Sequence, residues 1–214
     1  MRYSVAPRGR FLLGRCPSLH HIRCVRGCKY ISFYLYHKVN IQKMIDLKSY
    51  VRDIIDFPKK GINFKDITPL LSDPVACNAC SEQLYQLAKD LQIDTVVGVE
   101  ARGFYFGVPL ANRLGAGFVP VRKPGKLPYK TISMTYDLEY GTDTLEMHQD
   151  AIKPGARVLL HDDVLATGGT AKAVCELIEE LGGEVVQCNF IMELSFLQGN
   201  QKLAPRDIRS IFSY

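Results

Sequence analysis

Apolar and polar positions alternate along this chain in two different periods, and the switches between them outline its elements. Leu47, Tyr50, Val51, Ile54 and Ile55 recur at helical spacing and predict a first helix opening at Met44. Residues 58–66 lack either period and read as a loop, after which Asp73-Pro74 marks the start of a helix to about residue 90. Residues 94–99 form a short apolar run of the kind a buried strand shows, 103–114 return to helical spacing, and 117–122 read as a further strand. Lys123 to Tyr129 is basic and carries two prolines and a glycine, which predicts a mobile loop. Ile132, Met134, Tyr136 and Leu138 then alternate in strand fashion, with Leu145 and Met147 behind Gly141, as a hairpin would. A strand over 157–160, a helix over 171–181 and a last strand over 185–191 complete the series. Strands and helices in alternation predict an α/β fold with a mainly parallel, twisted sheet flanked by helices.

The junction after the apolar run Val158-Leu159-Leu160 is chemically the densest part of the chain. It reads His161-Asp162-Asp163-Val164-Leu165-Ala166-Thr167-Gly168-Gly169-Thr170. A small-residue turn ahead of a helix offers unpaired backbone N–H groups and the positive end of the helix, a natural seat for phosphate. Two adjacent carboxylates would repel a bare phosphate, but they suit the hydroxyls of an attached sugar, or its Mg²⁺. A ribose 5-phosphate satisfies both halves. The strand over 94–99 ends in a second charged turn, Glu100-Ala101-Arg102-Gly103, and would place it at the same carboxyl edge of the sheet. The planar fork of Arg102 suits a diphosphate, and a surface ion pair with Glu100 is the plainer alternative.

The acidic pair and its Thr-Gly-Gly-Thr turn resemble the signature of the type I phosphoribosyltransferases. Neither a Walker A loop nor a G-x-G-x-x-G fingerprint is present. Four further stretches resemble the adenine-specific subfamily: Phe57-Pro58 with residues 61–69, the loop Arg122-Lys123-Pro124-Gly125-Lys126-Leu127-Pro128, Leu138-Glu139-Tyr140-Gly141, and Met192-Glu193-Leu194. The resemblance covers about residues 44–203. His161 departs from it, since the family usually has an aliphatic residue there; a packed imidazole is expected, or one that tunes the acids.

The resemblance implies the type I fold with a flexible catalytic loop and hairpin, and a small hood from the N-terminal part of the body. It implies transfer of phosphoribose from phosphoribosyl diphosphate to adenine, giving AMP and diphosphate in purine salvage. Phosphoribosyl diphosphate would lie against Glu100, Ala101, Arg102, Arg122, Lys123, Lys126, Tyr140, Asp162, Asp163, Ala166, Thr167, Gly168, Gly169 and Thr170. Adenine would stack on Phe64, its edge read by backbone near Asn63 and Lys65, with Leu194 closing the other face. Glu139, Arg102, Asp162 and Asp163 would carry the catalysis, with Mg²⁺ entering on the substrate and held in part by Asp162 and Asp163. A homodimer is likewise implied. Alternatives are a transferase for hypoxanthine, guanine or xanthine, and a non-catalytic regulator of the same fold that senses phosphoribosyl diphosphate.

Composition narrows the rest. The 214 residues are 47% hydrophobic, enough for a real core, and no apolar run approaches the roughly 18–20 residues a membrane span needs. The net charge of +5 is misleading: residues 1–43 hold nine Lys or Arg and no acid, whereas residues 44–214 hold eighteen basic and 22 acidic residues. The body is therefore mildly acidic, and neither a nucleic acid nor a membrane is expected as partner. Residues 1–43 are read as a basic extension, disordered or translated from a start placed too early, with a targeting peptide or a basic arm as rival readings. Cys16, His20, His21, Cys24 and Cys28 match no standard zinc spacing. Cys77 and Cys80 have CxxC spacing but fall inside a helix, so they are expected to pack rather than react. Without a paired-cysteine framework a reducing compartment, the cytoplasm, is expected.

Overall fold

A computed structural model describes residues 45–137 and 141–214. The expected N-terminal extension, Glu139 and Tyr140 lie outside the described residues. A four-residue 3₁₀ turn, Leu47–Tyr50, leads into β1 (Arg52–Ile55) and β2 (Asn63–Asp66), which pair antiparallel. Two helices follow, α1 (Thr68–Ser72) and α2 (Pro74–Ala88), then β3 (Thr95–Val99), α3 (Gly103–Leu114) and β4 (Gly117–Val121). The hairpin β5 (Thr131–Asp137) and β6 (Thr142–His148) precedes β7 (Arg157–Leu165), α4 (Gly169–Glu180) and β8 (Glu184–Glu193). A 3₁₀ turn (Ser195–Leu197), α5 (Gly199–Leu203) and β9 (Ile208–Ser213) end the chain. Five strands form one sheet in the order β4-β3-β7-β8-β9, every pair parallel. Among the described residues no helix is long and apolar enough to cross a membrane.

Both faces of this sheet are covered, which is why its strands read as continuous apolar runs rather than alternating ones. On one face Val97, Val158, Leu160 and Phe190 pack with Val174, Leu177 and Ile178 of α4 and with Leu145 and Met147 of the hairpin. On the other, Val96, Leu159 and Ile191 meet Leu84 of α2 and Phe106 and Leu110 of α3. Each such fully buried side chain contributes about 1.5–3 kcal/mol relative to exposure. The helix ends follow their local chemistry. Asp73 caps α2 by accepting from the N–H groups of Val75 and Ala76, and α3 stops at Gly115, whose φ of 68° is open to glycine at no steric cost.

Three expectations change. The helix expected from Met44 is a single 3₁₀ turn followed by a strand. Of its stripe only Leu47 is fully buried, while Ile55 is 67% exposed, and the β-branched Val51, Ile54 and Ile55 favour the extended chain that pairs with β2. That pairing also converts the end of the expected 58–66 loop into strand. The signature strand does not stop at Leu160: β7 continues through His161, Asp162 and Asp163 to Leu165, because β8 pairs with it along that whole length. Cys80 is buried and Cys77 half-buried inside α2, as packing cysteines should be.

Candidate active site

The acidic pair sits on the last residues of a central strand, so its two side chains leave opposite faces of the sheet. Asp163 is 2% exposed, and its Oδ2 lies 3.1 Å from Arg102 Nε. The contact is a close charge pair without hydrogen-bond alignment, so this oxygen has no donor of its own. Asp162 accepts the backbone N–H of Asp163 at 2.9 Å. Burial, then the charge of Asp163, raises the Asp162 carboxyl well above the ordinary carboxylate range. Burial also raises Asp163, with Arg102 opposing it.

Arg102 is brought here by the start of α3. A side chain at Gly103 would strike the His161 carbonyl at 2.9 Å and Asp162 Oδ1 at 3.1 Å, so glycine lets the helix end lie directly against β7. From that position Arg102 also covers the Phe64 ring, with its guanidinium carbon 4.9 Å from the centroid, and reaches the Lys65 carbonyl at 3.5 Å. It makes its ion pair with Asp163 and not with Glu100. Below the acids, His161 is fully buried, its Nδ1 2.7 Å from Asn189 Oδ1 on the neighbouring strand. Burial holds this imidazole down to about 4, so it is neutral near pH 7 and is a packed residue, as one of the two expectations had it.

After Leu165 the chain turns through Ala166, Thr167 and Gly168 into α4. Gly168 has φ 77° and no side chain caps the helix, which leaves its first N–H groups open to an anion. A cavity of about 200 Å³ lies between Arg102, the acidic pair, and the turn from Ala166 to Ala171. Sequence reasoning missed Gly199, which shapes this turn. A Cβ there would come within 2.1 Å of the Ala166 carbonyl, and one on Gly168 within 2.4 Å of the Gly199 carbonyl. Nothing local in the sequence signals the contact, since the two glycines are adjacent only through the sheet.

The turn over 100–103 contains a cis peptide between Glu100 and Ala101. Glu100 accepts from Lys126 Nζ at 2.8 Å, the Lys123 N–H at 2.9 Å, and Arg122 Nε and Nη2 at 3.3 Å each. Burial alone would raise this carboxyl, but these donors outweigh it and hold it at about 2. Lys123 Nζ pairs with Asp143 of the hairpin, and the Gly125 N–H is held by Glu146 Oε2. The loop cations are thus each paired with a carboxylate, and none of the three lines the cavity between Arg102 and the turn. Phe64 packs edge-on against Phe57 at 5.2 Å between centroids. The Lys65 side chain turns away to Asp53 at 2.5 Å and over the Tyr214 ring, leaving its backbone toward Arg102. Asn63 is exposed at the start of β2, and Leu194, just past β8, is buried and donates its N–H to the Leu165 carbonyl at 2.9 Å.

A five-stranded parallel sheet whose carboxyl edge carries an acidic pair, a turn into an uncapped helix and an arginine defines a class, and residues 69–209 match the family model described as phosphoribosyl transferase domain. The chain belongs to this family and has its type I fold. It is 59% identical over 170 residues to the adenine phosphoribosyltransferase of Christiangramia forsetii, covering 79% of this chain and 99% of that one. The crystal structure of adenine phosphoribosyltransferase from Thermoanaerobacter pseudethanolicus is similar at 54% identity and a TM-score of 0.78, over 79% of this chain and 98% of that one. The Saccharomyces cerevisiae enzyme, complexed with an imino-altritol bisphosphate and adenine, is similar at 39% identity and a TM-score of 0.73, over 80% and 98%.

Proposed function

We propose that the protein is a pentosyltransferase that joins adenine to phosphoribosyl diphosphate, forming AMP and diphosphate, in the salvage of purines. The observation that carries this reading is the single cavity shared by Arg102, Asp162, Asp163 and the Thr167–Thr170 turn. The 5-phosphate takes the N–H groups of the turn and the start of α4, and the ribose hydroxyls take the acidic pair. As the bond from C1′ to diphosphate lengthens, positive charge develops on the sugar and negative charge on the leaving group. Asp162 and Asp163 stabilise the first, and Arg102 with Arg122, Lys123 and Lys126 the second. The loop cations reach the diphosphate only by leaving Glu100 and Asp143.

Adenine binds against Phe64, with backbone around Asn63 and Lys65 distinguishing an exocyclic amine from a carbonyl and Leu194 on the opposite face. The attacking ring nitrogen loses its proton to Glu139, with Tyr140 ordering the loop; both assignments rest on the subfamily resemblance. Among the described residues no cluster of three or more His, Cys, Asp or Glu could hold a metal by itself. The donor set instead fits Mg²⁺ arriving on the substrate, since Asp163 Oδ2 is buried without a donor. When bound, the ion would neutralise charge on the departing diphosphate.

Residues 44–214 form the transferase domain, acting as a homodimer in the cytoplasm on small molecules, with no membrane or nucleic-acid partner. The test is turnover with adenine, hypoxanthine, guanine and xanthine in competition, scored by diphosphate release. Adenine should be consumed first. Preference for another base replaces the adenine assignment, and binding of phosphoribosyl diphosphate with no release for any base favours the regulator.

A further inference from the structure

Lys123 and the turn into α4 are joined by a chain of polar contacts through Tyr136, a residue to which the reaction scheme above gives no role. Thr170, in the first turn of α4, donates its hydroxyl to Tyr136 OH at 3.2 Å. Tyr136 in turn donates to Asp143 Oδ2 at 3.4 Å, and the same oxygen holds Lys123 Nζ. Tyr136 and Asp143 face each other across the hairpin as register partners, and the Tyr136 ring packs against the core. The hairpin therefore fixes the carboxylate in place, while Lys123 reaches it from the loop after β4.

We propose that Asp143 and Tyr136 are positioning residues that set how readily Lys123 is released to a diphosphate, and that Tyr136 links this release to Thr170 in the phosphate turn. The proposal rests on the reading of the cavity as a phosphoribosyl diphosphate site. One carboxylate oxygen serves two donors, the phenol and the ammonium. The phenol satisfies part of its acceptor capacity, so the ammonium is held less firmly than by a carboxylate serving it alone. Asp143 and an incoming diphosphate compete for the same cation, so Asp143 weakens binding of the ligand and Tyr136 moderates that effect. A phosphate in the turn gives the Thr170 hydroxyl a stronger acceptor than the phenol, which ties occupancy of the turn to the competitor on the hairpin through Tyr136.

Titration of the full-length protein with Mg²⁺-diphosphate by calorimetry tests the scheme. Asp143→Asn, which removes the competing charge, should bind about two- to five-fold more tightly than wild type, the range expected of a partly exposed ion pair. Asp143→Glu should return affinity toward wild type. Tyr136→Phe should bind about two-fold more weakly, and this loss should vanish in combination with Asp143→Asn. The gain from Asp143→Asn should also vanish in a Lys123→Met background. A merely structural role for Asp143 would leave the same change in both backgrounds and would overturn the proposal, as would unchanged or weaker binding by Asp143→Asn. If Asp143→Asn does not fold, Tyr136→Phe decides alone, because it alters no charge: equal or tighter binding sinks the proposal. A wild-type protein that binds neither diphosphate nor phosphoribosyl diphosphate would refute the site reading itself, a result distinct from these.

Discussion

Two neighbouring aspartates in one site are held in different surroundings, and each is expected to answer differently to neutralisation. Asp163 has the Arg102 guanidinium at 3.1 Å, whereas Asp162 is raised by burial and by the charge next to it. A carboxyl whose folded-state pKa lies above its unfolded value opposes folding at neutral pH, and that opposition fades only as pH falls toward the unfolded value. Asp162→Asn should therefore melt higher than wild type, by about 2–4 °C per kcal/mol relieved. Its amide oxygen still accepts the Asp163 N–H. A calorimetric scan showing a lower melting temperature would contradict the assigned cause. Asp163→Asn should lower kcat by on the order of 10² or more, the scale of a single preorganised electrostatic contact. Unchanged steady-state kinetics would remove Asp163 from the chemistry.

At the level of elements, the turn from β7 into α4 depends on a neighbour from a distant part of the chain. Gly199→Ala would place a methyl where only 2.1 Å separates it from the Ala166 carbonyl, so the turn or α5 must shift. A displacement near 1 Å in a reacting site costs about 10²-fold, and kcat/KM for phosphoribosyl diphosphate should fall on that scale in a protein that still folds. Wild-type kinetics for this variant would show that the turn tolerates the shift. The same case shows what sequence could and could not supply. The strands and helices that cross the sheet were legible because burial on both faces leaves unbroken apolar runs, as at 95–99 and 158–160. The acidic pair, Arg102 and the Thr-Gly-Gly-Thr turn were legible because each is a short motif at a strand end. Leu47 to Ile55 misled, since five apolar positions satisfy the helical period while the β-branched Ile54 and Ile55 pair with β2. Edge strand β9, Gly199 and the Tyr136–Asp143 pair escaped because their meaning lies in contacts made across the fold.

For the whole molecule, the polar pair beneath the site sets a limit on acid tolerance. His161 is held at about 4 inside the sheet, against 6.5 for the free side chain. Between these values the unfolded chain binds a proton that the folded protein refuses, so the stability present above pH 6.5 is lost as pH falls toward 4. The loss attributable to this residue is about 3 kcal/mol. His161→Gln, which keeps a donor for Asn189, should flatten urea-melt stability across that window. An identical acid limb in both proteins would assign the loss to other groups.

Because Glu100 and Asp143 offset two of the three positive charges carried by Arg122, Lys123 and Lys126, the resting protein offers an approaching polyanion a reduced attractive field. Capture should then proceed with weak electrostatic steering, and stopped-flow association rates should vary less with ionic strength than three unpaired cations would make them. Selectivity among phosphorylated metabolites would arise after encounter, when only a ligand able to displace both carboxylates remains.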